Sequence, residues 1–143
     1  VETFLGTVTA ADVTAEGESV VCARPGEWSY RRFVLHYARL AQVAGGVSAF
    51  VLGSEMPGLT RIRGAAGYPM VDGLVDLAAE VASILPAATL TYAADWTEYG
   101  AHVRNAGDDV TFPLDPLWAS PAIGAIGIDY YPPLSDWRDG AAH

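Results

Sequence analysis

Thr89-Leu90-Thr91-Tyr92-Ala93-Ala94 is a six-residue run without Gly, Pro or charge, and it gives way at once to Asp95-Trp96-Thr97-Glu98-Tyr99. Its β-branched and aromatic content reads as a strand, and the polar group after it as the strand's end. The pattern before it is helical. Val71, Leu74, Val75, Ala78, Val81, Ala82 and Leu85 recur at three- and four-residue spacing, with Pro69 in the first turn and Pro86 as the stop. One unit further upstream the order repeats. Tyr30, Phe33, Val34, Tyr37, Leu40, Ala41 and Ala44 form an apolar stripe, with Glu27 and Ser29 near its start and Gly45-Gly46 at its end. Arg31, Arg32 and Arg39 fall off that stripe, which predicts one buried face. Val47-Ser48-Ala49-Phe50-Val51-Leu52 follows, apolar enough for a strand covered on both sides, and ends at Gly53-Ser54-Glu55. Downstream, Asp115-Pro116 reads as an N-cap with Pro at the first helical position, opening a short helix through Leu117 and Trp118. Ala125-Ile126-Gly127-Ile128 is a third buried strand, ending at Asp129-Tyr130-Tyr131-Pro132-Pro133.

Helix, strand, helix, strand, helix, strand predicts right-handed crossovers and a parallel sheet, an α/β fold. An open dinucleotide- or nucleotide-binding sheet would carry GxGxxG or GxxxxGK[ST] after a strand, and neither occurs. The expectation is a partial (β/α)₈ TIM-type barrel in one domain over residues 1–143. A complete barrel takes about 250 residues, roughly 30 per unit, so the 143 residues here correspond to an incomplete one with open sheet edges. Residues 1–25 read as loop, with Ser19-Val20-Val21-Cys22 as a short edge strand.

Composition excludes several functions. The net charge is −9 and all eight basic residues are Arg, so no basic stripe exists to follow a phosphate backbone or an anionic membrane. Cys22 is the single cysteine, and His36, His102 and His143 lack metal-ligand spacing, which argues against a disulfide, a metal site or a cofactor. The longest apolar stretch, residues 40–52, is interrupted by Gln42, Gly45 and Gly46 and falls short of a membrane span. No signal-peptide pattern opens the chain.

The chemistry gathers at the strand ends. Each of the three strands is followed by a carboxylate: Glu55; Asp95, with Glu98 one turn on; and Asp129. Ser54, Trp96, Tyr99, Tyr130 and Tyr131 stand beside them, and Trp137 follows. In a parallel barrel all strand carboxyl ends face one mouth, where barrel active sites lie. Two converging carboxylates suit glycosidic bond cleavage, one giving a proton to the leaving oxygen and the other attacking or activating water. Aromatic rings offer flat apolar faces to sugars. Plainer roles stay open for the same residues: Glu55 as ion-pair partner of Arg61 or Arg63, Asp95 as a helix N-cap, Asp129 as a brace for the Pro-rich turn, and Trp96, Tyr130 and Trp137 as packing.

Five blocks follow one another: Tyr30-Arg31-Arg32-Phe33-Val34-Leu35-His36-Tyr37-Ala38, Phe50-Val51-Leu52-Gly53-Ser54-Glu55-Met56, Tyr92-Ala93-Ala94-Asp95-Trp96-Thr97-Glu98-Tyr99, Leu114-Asp115-Pro116-Leu117-Trp118-Ala119 and Pro133-Leu134-Ser135-Asp136-Trp137-Arg138-Asp139-Gly140. Together they resemble the TIM-barrel-like domain of the tail-tip (baseplate) protein of gene transfer agents and related phages. The resemblance implies a glycoside-hydrolase-like barrel within a larger tail protein. It further implies a particle assembled in the bacterial cytoplasm and a cell-envelope glycan as substrate or ligand, with the rest of the parent protein or other tail subunits as partners. It places Glu55 where related hydrolases carry an acid/base glutamate. A retained structural or glycan-binding module without catalysis is the alternative, motivated by Tyr130, which stands where that family's pattern has Asn. Pro132 in place of Met and Pro113 in place of His are further departures.

Overall fold

The computed structural model describes residues 1–132 and 134. In chain order its helices are α1 (Glu2–Leu5), α2 (Tyr30–Val43), α3 (Pro57–Thr60), α4 (Pro69–Ile84), α5 (Trp96–Tyr99) and α6 (Asp115–Trp118). Its strands are β1 (Val13–Glu16), β2 (Ser19–Cys22), β3 (Ala49–Ser54), β4 (Thr89–Asp95), β5 (His102–Arg104), β6 (Asp109–Thr111) and β7 (Gly127–Asp129). The three strands read from sequence pair in parallel in the order β3-β4-β7, matching the sequence order. Two antiparallel hairpins, β1-β2 and β5-β6, complete the strand content of the described residues, which close no barrel.

Several details differ from expectation. Residues 1–25 are not mostly loop: Val13–Glu16 pairs with Ser19–Cys22, and α1 precedes them. Ser19–Cys22 is the short strand expected there, whereas its partner β1 is exposed except at Val13 and carries no hydrophobic alternation to read. The β5-β6 hairpin was likewise not expected, for the same reason. At α6 the N-cap is Leu114, with Asp115 inside the first turn beside Pro116.

The core forms where α2, α4 and α6 cover one face of the sheet. Val34, Leu35 and Ala38 of α2 pack with Leu77, Ala78, Val81 and Ile84 of α4 over Leu52 and Leu90. Met70, Val71 and Leu74 of α4 pack with Tyr92, Ala94, Leu114 and Leu117. Full burial of each such Leu, Ile, Val or Met contributes about 1.5–3 kcal/mol before entropy is counted. The helix α2 is rotated relative to its predicted stripe. Arg31 lies on the buried side, donating to the Val8 carbonyl at 2.9 Å and pairing with Glu80, while Phe33 and Tyr37 are 60% and 51% exposed. A guanidinium with two acceptors can be buried, and that choice turns Phe33 and Tyr37 outward. Ser29 caps α2 as expected, accepting from the Arg32 amide.

Candidate functional site

The register brings the strand ends together. Ser54 and Gly127 both align with Ala93, and Asp95 aligns with Asp129, so Ser54, Asp95 and Asp129 share the sheet face opposite the helices. Ser54 Oγ donates to Asp129 Oδ2 at 2.8 Å. The close approach of β7 to β4 requires Gly127, because a Cβ there would lie 2.6 Å from the Tyr92 carbonyl oxygen. Glu55, Asp95 and Asp129 thus stand on one edge of the sheet, at the carboxyl ends of their strands.

Glu55 leaves β3 through a register irregularity between Val51 and Ser54. Its backbone is left-handed, φ 49, an uncommon conformation for a residue with a Cβ. Its amide donates to the Ala93 carbonyl at 2.9 Å. The expected ion pairs are taken elsewhere: Arg61 donates to the Thr97 carbonyl and Arg63 pairs with Asp109 at 3.2 Å. Among the described residues no hydrogen bond or ion pair engages the exposed Glu55 carboxylate.

Asp95 is both strand end and N-cap of α5. It accepts from the Thr97 hydroxyl and, at 2.8 Å, from the Thr97 amide, and these bonds hold its carboxyl below the usual carboxylate range. Glu98 is 2% exposed and lies beneath the mouth. Its carboxylate accepts from Thr60 Oγ1, from the Tyr92 hydroxyl at 3.0 and 3.1 Å, and from the Asp95 amide at 3.3 Å. The Tyr92 phenol is pushed well above its ordinary range by burial and then by the Glu98 charge, so it keeps its proton and donates. Tyr92, Thr60 and Thr97 were not singled out from sequence, Tyr92 because it sits inside an apolar run. The Asp95-x-x-Glu98 spacing is that of a capping box, the signal that could have marked Glu98 as turned back toward the backbone.

The aromatic residues divide. Trp96 and Tyr130 are exposed and meet edge to face, ring centroids 6.1 Å apart at 72°. Tyr131 is exposed beyond them. Tyr99 borders a separate groove of about 400 Å³ with Phe112, Asp115, Trp118 and Ile126. Trp137 lies outside the described residues. No group of three His, Cys, Asp or Glu among the described residues could hold a metal ion, and no described helix is long and apolar enough to cross a membrane.

The family model described as the GTA TIM-barrel-like domain matches residues 28–143, from just before α2 onward. No curated protein matches the chain.

Proposed function

This chain belongs to the family of GTA TIM-barrel-like domains, and from that premise we propose that β3, β4 and β7 are consecutive strands of a (β/α)₈-type barrel whose mouth engages a cell-envelope glycan. The parent would be a particle-associated tail protein. Its remaining segments, or neighbouring tail subunits, would cover the outer edges of β3 and β7, which no described strand pairs.

The observation that carries the glycan reading is the exposed Trp96–Tyr130 pair beside Asp95 and Asp129. Two rings at a sheet edge present apolar surface to a sugar face, and the adjacent carboxylates accept from its hydroxyls. Tyr131, exposed next to Tyr130 in sequence, would extend that surface. The test is binding of the full-length parent protein to purified peptidoglycan and capsule glycans. Trp96→Ala and Tyr130→Ala should each weaken binding about tenfold, the equivalent of about 1.4 kcal/mol. Glycan binding that neither substitution weakens, or no glycan binding at all, would sink this reading and leave a purely structural role.

Hydrolysis is the second reading, favoured by a division of roles among the carboxylates. Asp129 and Asp95 are already engaged by hydroxyl donors, Ser54 and Thr97, whereas Glu55 is uncommitted among the described residues. In this reading Glu55 gives the proton to the leaving oxygen, Asp95 or Asp129 supplies the second carboxylate, and Glu98 supports from below. Turnover of the same glycans by the parent protein should vanish on Glu55→Gln; equal turnover by that variant removes Glu55 from the role.

A further inference from the structure

Glu55 is held in its left-handed conformation by its neighbours. On one side its own amide is fixed to the Ala93 carbonyl of β4 at 2.9 Å. On the other, the amide of the next residue, Met56, donates to the Tyr92 hydroxyl at 2.8 Å. That hydroxyl is fixed in turn. It donates to Glu98, which is buried, and Glu98 is oriented by Thr60 at the end of α3 and by the Asp95 amide at the end of β4. A buried carboxylate without an ion-pair partner among the described residues persists only when its oxygens are satisfied, and here three donors, one from α3 and two from β4, satisfy it. The same two side chains therefore bracket both strand-end carboxylates. Tyr92 fixes the backbone just after Glu55, and Glu98 fixes the amide of Asp95.

We infer that Tyr92 and Glu98 are positioning residues, a buried phenol–carboxylate pair that holds the backbone carrying Glu55 and Asp95 in one mutual arrangement at the mouth. Neither side chain has to touch a ligand. A left-handed non-glycine residue is strained, and such strain persists where the surroundings over-determine the conformation. The bonds on either side of Glu55 supply that determination. The importance of the mouth rests on the proposed function above; the backbone effect can be read without any glycan.

The measurement is amide hydrogen exchange in the full chain, by magnetic resonance. Tyr92→Phe removes the hydroxyl and little else. It should speed exchange at Met56 at least about tenfold and at Asp95 by a smaller factor, with the α4 amides unchanged. Thr60→Val and Glu98→Gln leave the Tyr92 hydroxyl in place and should speed exchange at Asp95 more than at Met56. Met56 as protected in Tyr92→Phe as in the wild type would overturn the assignment, as would uniform loosening across α4 and β4, the mark of general destabilisation. If Tyr92→Phe does not fold, unchanged Asp95 exchange in both other variants overturns it instead. Thermal unfolding adds an independent reading. Glycine has no penalty at φ 49, so the drop in Tm caused by Tyr92→Phe should shrink by at least half in a Glu55→Gly background; equal drops in the two backgrounds count against positioning. A positive exchange result without glycan binding would refute the proposed function alone, and the reverse pattern would refute the positioning alone.

Discussion

Ser54 and Asp129 hydrogen-bond at 2.8 Å although they are 75 residues apart in sequence and β4 lies between their strands. Ser54 aligns with Ala93 and Asp129 with Asp95, so the bond spans β4 near its carboxyl end. It ties the outer two strands at the mouth and points the Asp129 carboxylate back across the sheet.

Ser54→Ala should therefore cost about 0.5–1.5 kcal/mol, toward the lower end because Ser54 is exposed. Urea denaturation of the full chain checks the value. In a double-mutant cycle with Asp129→Ala the two effects should fall short of additive, since each removes the same contact; full additivity would mean that the bond contributes nothing.

Acid should weaken the N-terminal part through Glu27. This carboxylate accepts from the amides of Thr7 and Val8 and from the hydroxyls of Thr7 and Ser29, and the Thr7 amide contributes most to lowering its pKa from 4.5 to about 2. A folded-state pKa below the unfolded one means stabilisation that is complete above pH 4.5 and is lost as pH falls toward 2. Asp95 and Asp12, also lowered by hydrogen bonds, act in the same direction. Denaturation series at pH 7, 4 and 3 should show a flatter decline for Glu27→Gln than for the wild type. Parallel declines would contradict this.

Two glycines should resist substitution for different reasons. A Cβ at Gly127 meets the Tyr92 carbonyl oxygen at 2.6 Å, a backbone atom that cannot move without disturbing β4. A Cβ at Gly53 would lie 1.9 Å from the Tyr30 hydroxyl, which a small rotation of the phenol can relieve at the cost of its 2.6 Å bond to the Leu52 carbonyl. Overpacking of this kind typically costs about 1–3 kcal/mol. Gly127→Ala should fall at the upper end and Gly53→Ala below it; the opposite order of Tm values would show that Tyr30 is the less yielding neighbour.

Removing Glu80 should harm the fold more than removing Arg31. Arg31 is buried on α2 between the Val8 carbonyl and Glu80, and Glu80 also accepts from the Ala10 amide. Glu80→Ala leaves a buried guanidinium without its counter-charge, a loss of about 3–5 kcal/mol for a fully buried pair and about 2–3 kcal/mol here because Glu80 is a quarter exposed. Arg31→Met replaces the buried charge by an apolar side chain and should cost less. Equal losses in guanidinium titrations would mean that the charge itself is not what Glu80 stabilises.

The sequence by itself determined the parallel strands, the two long helices and the strand-end carboxylates. A run such as residues 89–94 has no other way to hide its side chains, and stripes such as that of α4 repeat with the helical period. The family was legible for a related reason, since two of its five blocks, residues 50–56 and 92–99, run into the strand ends where chemistry concentrates. Of the two hairpins only β2 was legible, as the short strand Ser19–Cys22, because β1, β5 and β6 bury too little to leave a pattern. Nor was the rotation of α2: a periodicity argument puts arginine outside, and only the Val8 carbonyl and Glu80, contributed by other segments, make the inside acceptable for Arg31. Capping-box spacing turns Glu98 back toward the Asp95 amide, and tertiary structure decided that it is buried there instead of facing the mouth. Thr60 and Tyr92 come from separate segments, and a buried carboxylate goes where its donors are.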